Sequence, residues 1–428
     1  MSAENDAAGS DAAEADRVPW ARLSACAGVY TAPTALVVAP ALADARVLAA
    51  TGWAPGALTL ASGLMFVASA PGAIVGSSAA DRLGRRPVAF WTTIGCGICL
   101  AVGAAAPRRG AGLYVAMRVI GGAVSGGTAP TAFSWAMELT PLKARTRATT
   151  AMNVLWVLGP LLIAAWHVCT RRASWRVEAL GLAVFPLVAA AVARVSVPES
   201  PEFLAARAAP PPQRESEVYG IVGHLDPDVA AADAVAPAEP LEAPPRSPLR
   251  QLWLEHRRPL VPLILSWACV SASYYGLAYS AGALSKRVVL NFVLLNLADV
   301  PGYFAAGYLT KLAGTEPVMI LFSCLAGVSL VLVSLKAPAF VGIFGKFCTA
   351  AMFQQIYAMT TERFPAEVRA TAFGTCRVAA MLATFFAPPL ARTAERDAAT
   401  FLVFALMAGV VAAYAFALRP RRASSPSN

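Results

Sequence analysis

The sequence predicts an all-α membrane protein of twelve transmembrane helices in two six-helix halves, and three observations lead there. Of its 428 residues 57% are hydrophobic and only 14% charged, with a mean hydropathy of +0.57. A soluble chain this long needs far more charge to solvate its surface, so most of that surface faces hydrocarbon. Apolar stretches of 18 or more residues, each enough to cross a core of about 30 Å, recur twelve times. They lie near 21–43, 57–79, 88–106, 111–137, 148–169, 177–196, 259–282, 288–311, 317–335, 338–360, 371–391 and 399–418. The third observation is a single long polar interruption at 205–250, which splits them six and six. The same composition excludes disorder, collagen and a secreted disulfide scaffold.

In chain order, the first residues are polar and acidic, with Glu4, Asp6, Asp11, Glu14 and Asp16 against Arg17. That is the reverse of a cleavable signal's basic start, so segment one is expected to be a retained anchor. The interruption holds Pro210, Pro211, Pro212, Pro244 and Pro245 and reads as a linker with one short helix near 213–223. The expected domains are a tail at 1–20, a first bundle at 21–197, the linker at 198–258, a second bundle at 259–418 and a tail at 419–428. An even number of spans puts both tails and the linker on one side, and the Lys/Arg bias toward that side is weak once the long linker is set aside.

The net charge of +10 sits in short clusters between apolar runs, where lipid headgroups and membrane orientation account for it and nucleic acid does not. Cys26, Cys96, Cys99, Cys169, Cys269, Cys324, Cys348 and Cys376 fall inside or at the edge of those runs and read as small apolar filler. No Cys/His cluster has metal-ligand spacing and no Gly-x-x-x-x-Gly-Lys-Ser/Thr loop occurs, so neither a metal, nor another cofactor, nor direct ATP drive is expected. His167, His224 and His256 are scattered and no nucleophile has a base at recognisable spacing, which argues against an enzyme.

The loop after segment two reads Gly76-Ser77-Ser78-Ala79-Ala80-Asp81-Arg82-Leu83-Gly84-Arg85-Arg86-Pro87. It is a tight glycine turn with a carboxylate able to cap a helix and arginines held at headgroup level. Segment four carries Arg118, Gly122, Gly126, Gly127 and Pro130, followed by Glu138, Pro141 and Arg145; Gly122 and Gly126 lie four apart on one face and allow close helix packing. After segment six comes Pro198-Glu199-Ser200-Pro201-Glu202-Phe203-Leu204. The second half adds Trp267, Tyr274-Tyr275-Gly276-Leu277, Leu297-Ala298-Asp299-Val300-Pro301-Gly302, Gly345-Lys346-Phe347, Ile356-Tyr357, Thr361-Glu362, Pro365, Arg369 and Gly374-Thr375-Cys376.

Over roughly residues 20–420 this series resembles the major facilitator superfamily, and within it the branch of organic cation and anion transporters and synaptic-vesicle-like transporters. The resemblance implies alternating access between two rocking halves. It places the loop after segment two in the cytoplasm, and implies a conformational charge network of Asp81, Arg82, Arg85, Arg86, Glu138, Arg145, Glu199, Glu362 and Arg369. Departures stand beside it. Ser77 occupies a family glycine position, Glu202 a family arginine, and the loop expected after segment eight is reduced to Leu309-Thr310-Lys311-Leu312-Ala313-Gly314. The first external loop, 44–56, is far shorter than that of animal organic-ion carriers, and the two acidic positions of synaptic-vesicle-like relatives fall on Gly28 and Thr31.

An ionisable group at bilayer depth marks function by default. Asp299 is expected about 16 Å into segment eight and Lys346 about 12 Å into segment ten from the same face, close enough for an ion pair that either locks the second bundle or meets solute. Arg118, about 10 Å into segment four, is expected to lack an acid on segment one. Arg377, about 9 Å into segment eleven, either reaches solute or snorkels to the interface, as Arg22 does. Tyr274, Tyr275, Tyr303, Phe353 and Tyr357 with Gln354 and Gln355 line a central cavity or simply pack helices, and Trp20 and Trp53 fit an interfacial belt. The candidate solute contacts are therefore Arg118, Tyr274, Tyr275, Asp299, Lys346, Gln354, Tyr357 and Arg377.

The expected function is secondary transport of a small organic solute, an anion or carboxylate ahead of a sugar, by facilitated diffusion or exchange. A non-transporting binding or sensing protein on the same scaffold is the alternative. The expected state is a multi-pass monomer in the plasma membrane or an organelle membrane, with solute and the bilayer as partners.

Overall fold

The computed structural model describes residues 18–208, 248–364 and 366–417, and all regular structure among them is helical. The short helix expected near 213–223 lies outside the described residues. Ten helices are long and apolar enough to cross a membrane, and the bent pair at the start of the chain makes an eleventh. The twelfth span is α6 (Gly112–Glu138), 27 residues long, whose many glycines, serines and threonines dilute its apolarity.

Segment one consists of α1 (Trp20–Thr31), α2 (Thr34–Val37) and α3 (Pro40–Thr51), with a bend of 40° where α3 begins. The expected first loop at 44–56 is corrected: helix continues to Thr51, and only Gly52, with φ of +70°, through Ala54 links it to α4 (Pro55–Leu83). Next come α5 (Arg85–Ala104), α6, α7 (Arg145–Trp156), α8 (Leu158–Cys169) and α9 (Trp175–Ser196). In the linker region α10 (Pro201–Ala208) and α11 (Pro248–Glu255) are described. The second half runs through α12 (Arg257–Tyr279), α13 (Ala281–Leu284), α14 (Val288–Leu297), α15 (Asp299–Ala313), α16 (Thr315–Ser334), α17 (Ala339–Arg363), α18 (Ala366–Thr384), α19 (Ala387–Arg396) and α20 (Phe401–Ala417).

Three spans break for one reason. Proline has no N–H for the carbonyl four residues back and its ring crowds that carbonyl. Pro160 follows the break at Val157, Pro301 the break at Ala298, and Pro388 and Pro389 the break at Phe385–Phe386. Pro71, Pro130, Pro186 and Pro262 sit inside unbroken helices, so the ring permits a break without forcing one.

α4 and α6 touch backbone to backbone. A Cβ on Gly122 would lie 2.2 Å from the Met65 carbonyl oxygen, one on Gly126 would lie 2.1 Å from that of Ser69, and one on Gly76 would lie 2.4 Å from the Gly127 Cα. The glycine spacing predicts this seam. Trp20 is exposed as an interfacial residue should be, but Trp53 is not: it is buried against Tyr114 and Trp175 and donates to the Arg108 carbonyl at 3.0 Å. The eight cysteines are free thiols, of which Cys169 and Cys324 are exposed.

Candidate functional site

At mid-depth, between the halves, aromatic rings surround one arginine. Tyr30 of α1 packs on Phe133 and Trp156 with ring centroids 5.8 and 5.0 Å apart, and it lies within electrostatic reach of Arg377, Tyr275 and Tyr357. From the other half, Tyr357 packs on Trp267 at 4.7 Å and on Phe353 at 5.7 Å, while Tyr275 meets Phe66 across the interface at 5.1 Å. Arg377 Nη1 donates to the Tyr357 hydroxyl at 3.0 Å, and among the described residues no carboxylate lies within ion-pair distance of it. Asn153 Nδ2 of α7 donates to Gln354 Oε1 of α17 at 2.9 Å, a second bond across the halves. Gln355 turns away, donating to Ala306 O and Thr310 Oγ1 of α15, so its expected place in the cavity is corrected.

Behind this wall lies the pair expected from depth. Lys346 Nζ is 3.1 Å from Asp299 Oδ1, both side chains are buried, and the ammonium rests on the Tyr274 ring. Tyr274 donates to Asp299 Oδ2 at 2.5 Å, with the Tyr303 hydroxyl 3.5 Å from it. Pro301 opens the helix at Ala298, next to Asp299, and Gly302 lets α15 approach α17 closely. The acid and the base neutralise each other within one half.

One end of the bundle holds the network around Gly84, whose φ is +105°. Glu199 caps α5, accepting from the backbone N–H of Arg85 at 2.9 Å and of Arg86 at 3.1 Å. Arg85 pairs with the exposed Asp81 at 2.7 Å and, through Nε, with both oxygens of Glu138 at 3.2 Å. Arg82 is exposed. Two expected members go elsewhere: Arg86 reaches the Arg194 carbonyl, and Arg145 pairs with Glu202, so the acid standing at a family arginine position gains a basic partner from α7. The second half repeats the plan in weaker form. After Gly314, with φ of +84°, Thr315 donates to Glu362 at 2.7 Å, and Arg363 pairs with Glu316. The Arg369 side chain lies outside the described residues.

The opposite end carries a cluster that the sequence did not reveal. Asp44 on α3 accepts from Arg392 on α19 at 2.8 Å, and Arg392 also donates to Pro55 O at 2.9 Å, so this end is bolted across the halves. Tyr279 adds a bond to the Val37 carbonyl. The buried Arg118 donates to Ser62 Oγ at 3.3 Å and is within electrostatic reach of Asp44. Among the described residues no acid forms an ion pair with Arg118, although α3 prolongs segment one far enough to bring Asp44 within electrostatic reach. Glu178 is also buried and accepts from Arg46 at 2.6 Å, with His167 Nδ1 at 2.6 Å on its other oxygen. A cavity of about 850 Å³ opens beside Asp44, Tyr279, Arg392 and Arg396.

Two six-helix sets that meet at an aromatic cluster around Arg377 and are bolted at one end form the architecture of an alternating-access carrier. The model of the Major Facilitator Superfamily matches residues 23–297. The chain belongs to that superfamily. It is a multi-pass integral membrane protein and a secondary solute transporter, not an enzyme. The transporter resembles the niacin transporter NiaP of Acinetobacter baylyi, 26% identical over 76% of this chain and 75% of that one. It also resembles solute carrier family 22 member 15 of Xenopus tropicalis, 27% identical over 86% of this chain and 71% of that one. Among solved structures it shares its fold with the D-xylose-proton symporter, at a TM-score of 0.68, 16% identity and coverage of 94% and 96%. The partially occluded inward-open xylose transporter XylE of E. coli has a TM-score of 0.67, 15% identity and coverage of 94% and 98%.

Proposed function

We propose that this transporter carries a small organic anion bearing a carboxylate, bound between the halves with the carboxylate on Arg377 and its body among Tyr30, Tyr275, Tyr357 and Trp156. The carrying observation is Arg377 itself: a half-buried guanidinium among tyrosines with no acid within ion-pair distance among the described residues. A buried cation without a counter-charge is costly, and guanidinium matches carboxylate through two parallel hydrogen bonds. Asp299, the acid that would attract a cation, is already neutralised by Lys346. Arg118, the more deeply buried guanidinium, lies within electrostatic reach of Asp44. A relative named for niacin, an aromatic carboxylate, agrees with this class. In this reading 21–197 and 259–418 are the two rocking bodies, the Gly84 end faces the cytoplasm, and the Asp44–Arg392 bond closes the outer mouth.

The test is uptake into liposomes of radiolabelled nicotinate and benzoate against xylose and tetraethylammonium, with and without a proton gradient. The carboxylates should enter, and Arg377→Ala should weaken their binding by more than tenfold while Arg377→Lys keeps part of it. Strong uptake of tetraethylammonium, abolished by Asp299→Asn, would instead make the protein a cation carrier.

A further inference from the structure

The helix that leads into the second bundle has a surface that no group among the described residues covers. α11 is held down by Leu252, which is fully buried and packs toward α18, yet the next two residues turn outward: Trp253 is 54% and Leu254 52% exposed. Arg250, Arg257 and Arg258 around them are exposed, and among the described residues none has an ion pair or hydrogen bond. Glu255 is the one acid between them, and it already has a partner. Arg85, Arg145 and Arg363 at this end of the bundle are engaged by acids, whereas Arg82, like Arg250, Arg257 and Arg258, is exposed.

This patch stands where α12 enters the membrane, since only His256 separates α11 from Arg257. Its apolar edge fits the boundary between headgroups and acyl chains, where tryptophan is favoured. Its guanidinium groups then lie at phosphate level, where they bind phosphate oxygens in a planar, two-pronged way. A zwitterionic headgroup supplies the phosphate with its own cation beside it and leaves the charge of three arginines unmatched, whereas an anionic headgroup brings the net negative charge that matches it.

We propose that α11 with Arg250, Arg257 and Arg258 is a docking site for anionic phospholipid, holding the start of the second bundle against the leaflet on the Gly84 side. The lipid headgroup bridges the arginines while Trp253 and Leu254 sink into the acyl boundary. The inference is independent of which solute is carried.

The full chain in nanodiscs of phosphatidylcholine, with or without phosphatidylglycerol, provides the test. Phosphatidylglycerol should raise the melting temperature and remain bound through detergent extraction, as read by native mass spectrometry. The triple variant Arg250→Gln, Arg257→Gln, Arg258→Gln should lose at least fivefold of that retention, while the triple lysine variant keeps most of it and Arg171→Gln with Arg172→Gln at the opposite end changes nothing. Should the glutamine variant not fold, a photoreactive phosphatidylglycerol on the wild-type protein should label the peptide 248–258. Unchanged retention in the folded triple variant, labelling confined to other segments, or equal competition by free inorganic phosphate would overturn the proposal, the last by making this a soluble-anion site.

Discussion

Arg392→Gln removes the arm that the second half extends across the bolted end, and its effect follows from the geometry of Asp44. The bond is 2.8 Å long, and its two side chains are only 28% and 15% exposed, so solvent screens it little. A charge-assisted hydrogen bond in such a setting contributes about 1.5–3 kcal/mol, and each 1.4 kcal/mol is roughly a factor of ten in a population ratio. Glutamine keeps a neutral hydrogen bond, so the closed-to-open ratio at this mouth should fall by about 3- to 30-fold, taking roughly half to two-thirds of that range. Asp44→Asn should shift it less, because the open state loses the same charge from the side of Arg118. Spin labels at Leu48 and Thr393, with the exposed Cys169 and Cys324 replaced by serine, report the width of the mouth by electron–electron double resonance. A distance distribution unchanged by Arg392→Gln would refute the bolt. A larger shift for Asp44→Asn than for Arg392→Gln would refute the shared carboxylate.

Glu199→Gln should lower the melting temperature more than Asp81→Asn, because Glu199 caps two backbone N–H groups, worth about 1–2 kcal/mol, while Asp81 is 68% exposed and its pair is worth under about 1 kcal/mol. Asp81→Asn should slow turnover and shift conformers yet leave solute affinity within a few-fold; a collapse of affinity with conformers unchanged would place Asp81 in the solute site. Lys346→Met alone should cost about 3–5 kcal/mol by stranding Asp299, whereas Lys346→Met with Asp299→Asn should recover most of it, as read by fluorescence-detected size exclusion after heating; equal losses would mean that the pair is not coupled. Tags at residues 10, 230 and 425 should all be shielded from an external probe in intact cells, and an exposed linker tag with hidden termini would contradict the assigned orientation.

The spans were legible because a long apolar run is a one-dimensional signal, and the Gly122 and Gly126 seam because its spacing of four is local. The Asp299–Lys346 pair followed from depth counting alone. Other features needed the third dimension. Asp44 stands at the edge of an apolar run and read as loop, and nothing local links it to Arg392, 348 residues away. Glu202 looked like a lost arginine until α7 placed Arg145 beside it. Tyr30 has no neighbour in sequence that marks it for the cavity. The broken spans were hidden because prolines in intact helices look the same in the sequence; neighbouring packing decides which carbonyls are released.

The glycine seam between α4 and α6 bears on how the protein is made. α6 carries a buried Arg118 and is diluted by glycine, serine and threonine, so it has little drive to leave the translocon for lipid unaided. α4 emerges before it, is long and apolar enough to span, and offers a face on which Gly72 and Gly76 let the α6 backbone come into contact at Ala123 and Gly127. Integration of α6 is then a folding step as much as a partitioning one: its polar groups enter the membrane already shielded by a neighbour. A bulky residue on that face would show itself first as a topology error during synthesis, with α6 left outside the bilayer and every later span inverted.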